Sequence, residues 1–197
     1  MQVEQFVMAY AVEQDRLRAL LPEGVCSLRP VLRINAEIKD GTAGYVEYNT
    51  AVEKDGIRGW INIDRWENVS FERLGRTVIF KTPFLTLSFA PVGITGGCPA
   101  EQDHGGCYYK HGAAYVLRAT ETILSKREFC DCEFAWAFTE GDAHGKSIGK
   151  TLPAIPTECK TVYPKVPFTA AHAAKIPCAQ VLGSYTVVFE RNKAHEV

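Results

Sequence analysis

The chain has 197 residues, of which 46% are hydrophobic and 23% charged, the balance of a globular domain. That composition excludes a disordered tail, a fibre and a coiled-coil rod. Lys and Arg number 22 against 23 Asp and Glu, so the net charge is −1 and no basic excess remains to neutralise a phosphate backbone. One domain over residues 1–197 is expected, long enough to enclose a core and a ligand-sized cavity, with nucleic acid and membrane not expected as partners.

The first residues, Met1-Gln2-Val3-Glu4-Gln5, lack the basic region of a secretory signal, and Glu13 and Asp15 close the apolar stretch that follows. A cytoplasmic location is therefore expected, with the seven cysteines kept as free thiols. Asp15 is placed to cap a short helix with a Leu17, Leu20 and Leu21 stripe, ended by Pro22 and Gly24. From Arg29 to Ile38 the pattern turns to period two: Leu32, Ile34, Ala36 and Ile38 share one face, and Arg29, Arg33, Asn35 and Glu37 the other. Asp40-Gly41 leads to a strand over Tyr45–Val52, and Asp55-Gly56 to another over Ile57–Ile63. Ser70–Arg73 reads as a turn of helix. Further strands are expected at Thr77–Lys81, Phe84–Ala90, Ala113–Leu124, Asp131–Phe138 and Ser184–Glu190, and a second short helix at Thr169–Lys175. The charge-free stretch Thr82–Ala100 is broken by Pro and Gly and reads as strand, turn and loop, not as a membrane span. Many strands, direct hairpins and few helices predict a mainly β fold, an antiparallel barrel or sandwich.

Three groups of residues can carry chemistry. Arg33, Asn35 and Glu37 on one strand and Tyr45, Glu47 and Asn49 on the next would converge on a small polar ligand if that face points into a barrel. Pointing outward, the same residues are a solvated sheet surface. Lys81 lies between Phe80 and Phe84, where desolvation would leave a neutral, nucleophilic amine; the alternative is an edge-strand lysine in solvent. The stretch from Cys98 to His111 has the order Cys-x5-His-x2-Cys-x3-His, which matches no common zinc spacing, so a glycine-rich loop without metal is expected. No phosphate-cradling or dinucleotide glycine motif is present, and no cofactor is expected.

Several short motifs in order resemble the acetoacetate decarboxylase superfamily. Leu20-Leu21-Pro22-Glu23-Gly24 follows the first helix, and Tyr45-Val46-Glu47-Tyr48-Asn49 is similar to the family's Tyr-x-Glu strand. Asp55-Gly56-Ile57-Arg58-Gly59-Trp60 resembles its glycine-aromatic hairpin, and Gly75-Arg76 followed by Thr82-Pro83-Phe84 its Gly-Arg and Pro-Lys segments. The likeness spans residues 10–90 and is at least as near to a branch whose strand reads Glu-x-Asn.

The resemblance implies a closed, cone-like antiparallel β-barrel with a few short helices and an internal cavity. In the decarboxylases a cavity lysine, activated by desolvation or a cationic neighbour, forms a Schiff base whose iminium accepts electrons as carbon dioxide leaves. Here Phe84 stands at that lysine's place and Thr77 at the glutamate's, while Lys81 falls three positions earlier. The candidate catalytic residues are Lys81 and Glu47, and the candidate ligand-binding residues Arg33, Asn49, Arg76 and Phe84. The expected function is binding of a small oxo acid or other carboxylate-bearing ligand in the barrel cavity, without a Schiff base. A Schiff-base decarboxylase or aldolase-type lyase using Lys81 and a non-catalytic carrier or sensor are the alternatives. A homo-oligomer is compatible with all three.

Overall fold

Two Asp-Gly pairs fix the register of the first strands. In the computed structural model, which describes residues 1–97, 106–138, 144–147, 149 and 151–192, Asp40 and Gly41 have φ of 47° and 72°, and Asp55 and Gly56 of 53° and 76°. These are the left-handed pairs that type I′ turns demand. They link β2 (Val25–Lys39), β3 (Ala43–Lys54) and β4 (Ile57–Leu74) into a meander. Ahead of it stand β1 (Gln2–Ala11) and α1 (Gln14–Leu20); after it come β5 (Thr77–Lys81), β6 (Leu85–Gly96), β7 (Gly106–His111), β8 (Ala114–Ala119), β9 (Arg127–Trp136), β10 (His144–Ser147), α2 (Ala170–Ala174) and β11 (Gln180–Glu190).

Eight strands form a ring in the order β3-β2-β1-β11-β9-β6-β5-β4, closed by the β3–β4 pairing, with neighbouring strands antiparallel throughout. The result is a mainly β, cone-like closed sheet. The β7–β8 hairpin joins it through a short parallel contact, Trp60 opposite Cys107 and Ile61 opposite Tyr108. β10 pairs with β9. Closure removes the free edges that an open sheet would expose.

Inside the ring sit Phe6, Met8 and Tyr10 of β1, Leu32, Ile34, Ala36 and Ile38 of β2, Val46 and Tyr48 of β3, and Phe80, Leu87, Phe89, Phe134 and Trp136 from the far side. Ala170, Ala173 and Ala174 of α2 pack against the same core. Tyr10 and Tyr48 place their hydroxyls in hydrogen-bond contact within it. The aromatic packing runs outward from Tyr48 to Trp136, Phe138 and Phe84. Gly44 is required where β3 meets β4, because a Cβ there would lie 2.0 Å from the Val69 carbonyl oxygen.

Several boundaries differ from expectation. Ser70–Arg73 is strand, not helix, because those residues pair with Val78–Lys81 of β5. Gln2–Ala11 is a central strand whose period-two signal is hidden, since both its faces are largely covered and Phe6–Ala11 is apolar throughout. β8 ends at Ala119, short of Leu124. Asp15 lies inside α1, whose N-cap is Glu13, while Leu17 and Leu20 are buried as the stripe predicts. Thr169 caps α2 by accepting from the His172 amide. Asp15 instead accepts the backbone N–H groups of Lys160 and Thr161 at 2.9 and 2.7 Å. Those residues belong to an extended segment, 151–169, that lies across α1 and also bonds Gln14 from Thr157 and the Ala19 carbonyl from Val166. No helix of the described residues is long and apolar enough to cross a membrane.

Candidate site: a buried polar layer around Glu47

Residues opposite one another on paired strands project to the same side of a sheet, so the register gives the outer face of β11, β1, β2, β3 and β4 directly. One row reads Tyr185, Val7, Asn35, Glu47, Arg65; the next reads Val187, Gln5, Glu37, Tyr45, Glu67; the row on the other side reads Gly183, Ala9, Arg33, Asn49, Asn62. This face is not solvated. Nine consecutive residues of β3 are buried, because the ring core covers one side and other segments cover the other. Cys107 and Tyr109 of β7, Leu152 and Ala154 pack over the upper part, and Ile123 and Phe129 over the lower.

Glu47 is only 7% exposed and its carboxylate is surrounded by donors. Oε1 accepts from Asn35 Nδ2 at 2.9 Å and Asn49 Nδ2 at 3.0 Å; Oε2 accepts from the Tyr45 hydroxyl at 2.9 Å and the Tyr109 hydroxyl at 3.0 Å. Two acceptor positions on each oxygen are thus filled by neutral groups. Asn49 is itself held, accepting from Asn62 Nδ2 at 3.0 Å. Burial, followed by the charge of Glu47, pushes the phenols of Tyr45 and Tyr109 well above their ordinary range, so both remain donors. Burial likewise raises the Cys107 thiol, which argues against a thiolate nucleophile there.

Cations border this layer. The Arg33 guanidinium lies 4.8 Å from the Trp60 ring centre, with Arg65 5.4 Å from that of Tyr109 and Lys39 Nζ 4.3 Å from that of Tyr45. On the neighbouring row, Arg191 grips Glu37 with two hydrogen bonds, Nη1 to Oε2 at 2.7 Å and Nη2 to Oε1 at 2.8 Å, and also contacts Glu121. Burial works against the Arg191 cation, but the two carboxylates outweigh it and its pKa is raised.

Of the candidates named from sequence, Glu47, Asn49 and Arg33 come together in this layer. The others lie elsewhere on the ring. Lys81 is exposed, with Nζ 3.5 Å from Glu72. Arg76 is exposed and pairs with Glu128 at 2.6 Å, and Phe84, 41% exposed, stacks on Phe138 at 4.8 Å. Cys98 and His104 lie outside the described residues, and Gly106–His111 is strand where a loop was expected. Among the described residues no three His, Cys, Asp or Glu are grouped as a metal site. Sequence reasoning missed Tyr109, Gln5, Tyr185 and Arg191. Gln5 carried a signal, as an amide that shares a strand face with Val3 and Val7; Tyr109 carried one in its period-two relation to Cys107.

A closed ring of eight antiparallel strands, apolar within and carrying a buried polar layer on its outer face, defines the fold class. It is the acetoacetate-decarboxylase-like fold, as solved structures show. The chain superposes on the enduracididine biosynthesis enzyme MppR complexed with pyruvate with a TM-score of 0.56 and 13% identity, over 95% of this chain and 84% of that one. It superposes on the acetoacetate decarboxylase of Legionella pneumophila with a TM-score of 0.53 and 11% identity, over 95% and 81%. No family model matches the sequence, and no curated protein matches it by sequence.

Proposed function

We propose that this chain, as one domain, is an acetoacetate-decarboxylase-like protein that binds a small oxo acid or other carboxylate-bearing molecule in the polar layer. The supporting observation is the buried Glu47 carboxylate, held by four donors beside Arg33. Burying so many polar groups costs stability that an apolar layer would not, which is the pattern expected where a site is built for a ligand. In this reading Arg33 takes the ligand's carboxylate, as a guanidinium can with two parallel bonds. Glu47 and Asn49 fix the side chains around it. The likeness to MppR in its pyruvate complex agrees with a ligand of this size.

A binding role is favoured over acid–base chemistry because the Glu47 carboxylate is already saturated. To take a proton from a ligand it must first lose a donor. Tyr109 is the donor brought by the separate β7–β8 hairpin. Lys81, exposed and beside Glu72, lacks the desolvation that activates a Schiff-base lysine.

Titration calorimetry with pyruvate and with acetoacetate tests this reading. Saturable binding weakened about tenfold by Arg33→Met is expected, the loss of one charge-assisted contact. Borohydride added with either acid should leave Lys81 unmodified. An adduct mapped to Lys81 and absent from Lys81→Ala would restore the Schiff-base mechanism, and absence of binding would refute the site.

A further inference from the structure

Closing the ring removes strand edges, but the β7–β8 hairpin stands outside the ring and restores one. β7 pairs with β4 on one side and with β8 on the other, and no strand of the described residues pairs with the far edge of β8. Its six residues, Ala114-Tyr115-Val116-Leu117-Arg118-Ala119, pair with β7 in unbroken register. Val116 is 48% exposed and Leu117 36%. Natural edge strands are guarded by lysine, proline, a bulge or very short length. β8 has none of these. β10, the other strand outside the ring, is guarded: it has four residues and carries Lys146.

The hairpin geometry tells which backbone groups are free. Gly112 and Ala113 form a two-residue loop, with Gly112 at φ 61°, so His111 and Ala114 flank it as a hydrogen-bonded pair. Alternation then turns the N–H and C=O groups of Ala114, Val116 and Arg118 toward β7, and those of Tyr115, Leu117 and Ala119 outward. The Arg118 carbonyl oxygen agrees, lying 2.6 Å from where a Cβ on Gly106 of β7 would stand. The outward row is a template for one more extended strand.

We propose that β8 pairs antiparallel with β8 of a second copy of this chain, about a two-fold axis at Val116. Antiparallel strands exchange hydrogen bonds between residues whose groups both point outward, so Tyr115 meets the partner's Leu117 and Leu117 the partner's Tyr115. Val116 then faces the partner's Val116 at a non-hydrogen-bonded position, where side chains come closest. Three apolar cross-strand pairs result, of the aromatic and β-branched kinds that stabilise sheets. An axis at Leu117 gains one backbone pair but sets Val116 against the charged Arg118 and Tyr115 against Ala119. It also places the two Arg118 side chains, the only charges on β8, on a diagonal about 7–8 Å apart. With the axis at Val116, Arg118 lies opposite the partner's Ala114. The two arginines are then about 14 Å apart, beyond the ~8 Å screening length of physiological salt. A net charge of −1 per chain adds little repulsion. The contact uses the same edge twice, so assembly stops at the dimer. Six residues a side are few against the about 20–30 of a standard interface, which makes the dimer a weak one.

Sedimentation velocity of the whole chain from about 1 to 500 μM should show a monomer–dimer equilibrium with a micromolar dissociation constant. Val116→Lys sets two ammonium groups against each other at the axis and should raise that constant at least about tenfold. Its melting temperature should hold, because Val116 is half exposed. The register is read by cross-linking with diamide in a Cys26→Ser/Cys98→Ser/Cys159→Ser background, which removes the exposed Cys26 and Cys159 thiols. Val116→Cys should form a disulfide-linked dimer, since facing residues at such a position are about 4.5 Å apart at Cα. Arg118→Cys should not, its two copies being about 14 Å apart. A chain that stays monomeric over the whole range would overturn the proposal. So would a folded Val116→Lys that dimerises as the parent does, or cross-linking as fast through Arg118→Cys as through Val116→Cys.

Discussion

Arg191 is the natural point at which to break the polar layer. Its side chain is 10% exposed, and it bonds Glu37, 2% exposed, and Glu121, 17% exposed. Arg191→Met leaves two carboxylates facing each other with no cation between them, while Gln5 keeps its hydrogen bond to Glu37. Removing one partner of a buried pair costs about 3–5 kcal/mol, and here two carboxylates lose the same cation. In a chain of this length each kcal/mol moves the melting temperature by about 2–4 °C, so a fall of about 6–20 °C is expected. Urea unfolding followed by circular dichroism gives the free energy directly. The double variant Glu37→Met/Arg191→Met removes the more deeply buried of the two stranded charges along with its cation and should regain about 2 kcal/mol over Arg191→Met. A cost below about 1 kcal/mol for the single variant, or a double variant no more stable than the single, would show that the pair is solvated and the layer is not closed.

Asp15 gives a pH signature. The backbone N–H groups of Lys160 and Thr161, then Arg18, lower its pKa from 3.8 to about 2. A lowered carboxyl pKa stabilises the folded contact above the ordinary value and withdraws that support as pH falls toward the folded one. Protection from hydrogen exchange over residues 155–165, relative to the intrinsic rate, should therefore fall between about pH 4 and pH 2, and Asp15→Asn should abolish that step; an identical profile in both proteins would refute the anchoring. The cysteines give a second check: maleimide labelling mapped by mass spectrometry should modify exposed Cys26 and Cys159 first. Buried Cys107, Cys130 and Cys132 should resist until unfolding, with burial raising the Cys130 thiol to about 12; early labelling of any of the three would contradict their placement.

The sequence alone carried the elements whose cause is local. Asp40-Gly41 and Asp55-Gly56 set two left-handed turns because little else adopts that backbone, and period two assigned Ile34 and Asn35 to opposite faces. The same periodicity grouped Arg33, Glu47 and Asn49, and short motifs pointed to the fold class. Period two says which residues share a face, but not what covers that face. Tertiary closure decided that. Pairing β1 with β11 joins the two ends of the chain and sets Tyr185 beside Val7, while β7 brings Tyr109 to Glu47 across 62 residues. Closure also left Lys81 in solvent beside Glu72, a fate its flanking phenylalanines did not reveal. A polar face that its own strands left open between pocket and solvent became a buried layer because segments distant in sequence fold over it, and no local pattern encodes a contact of that range.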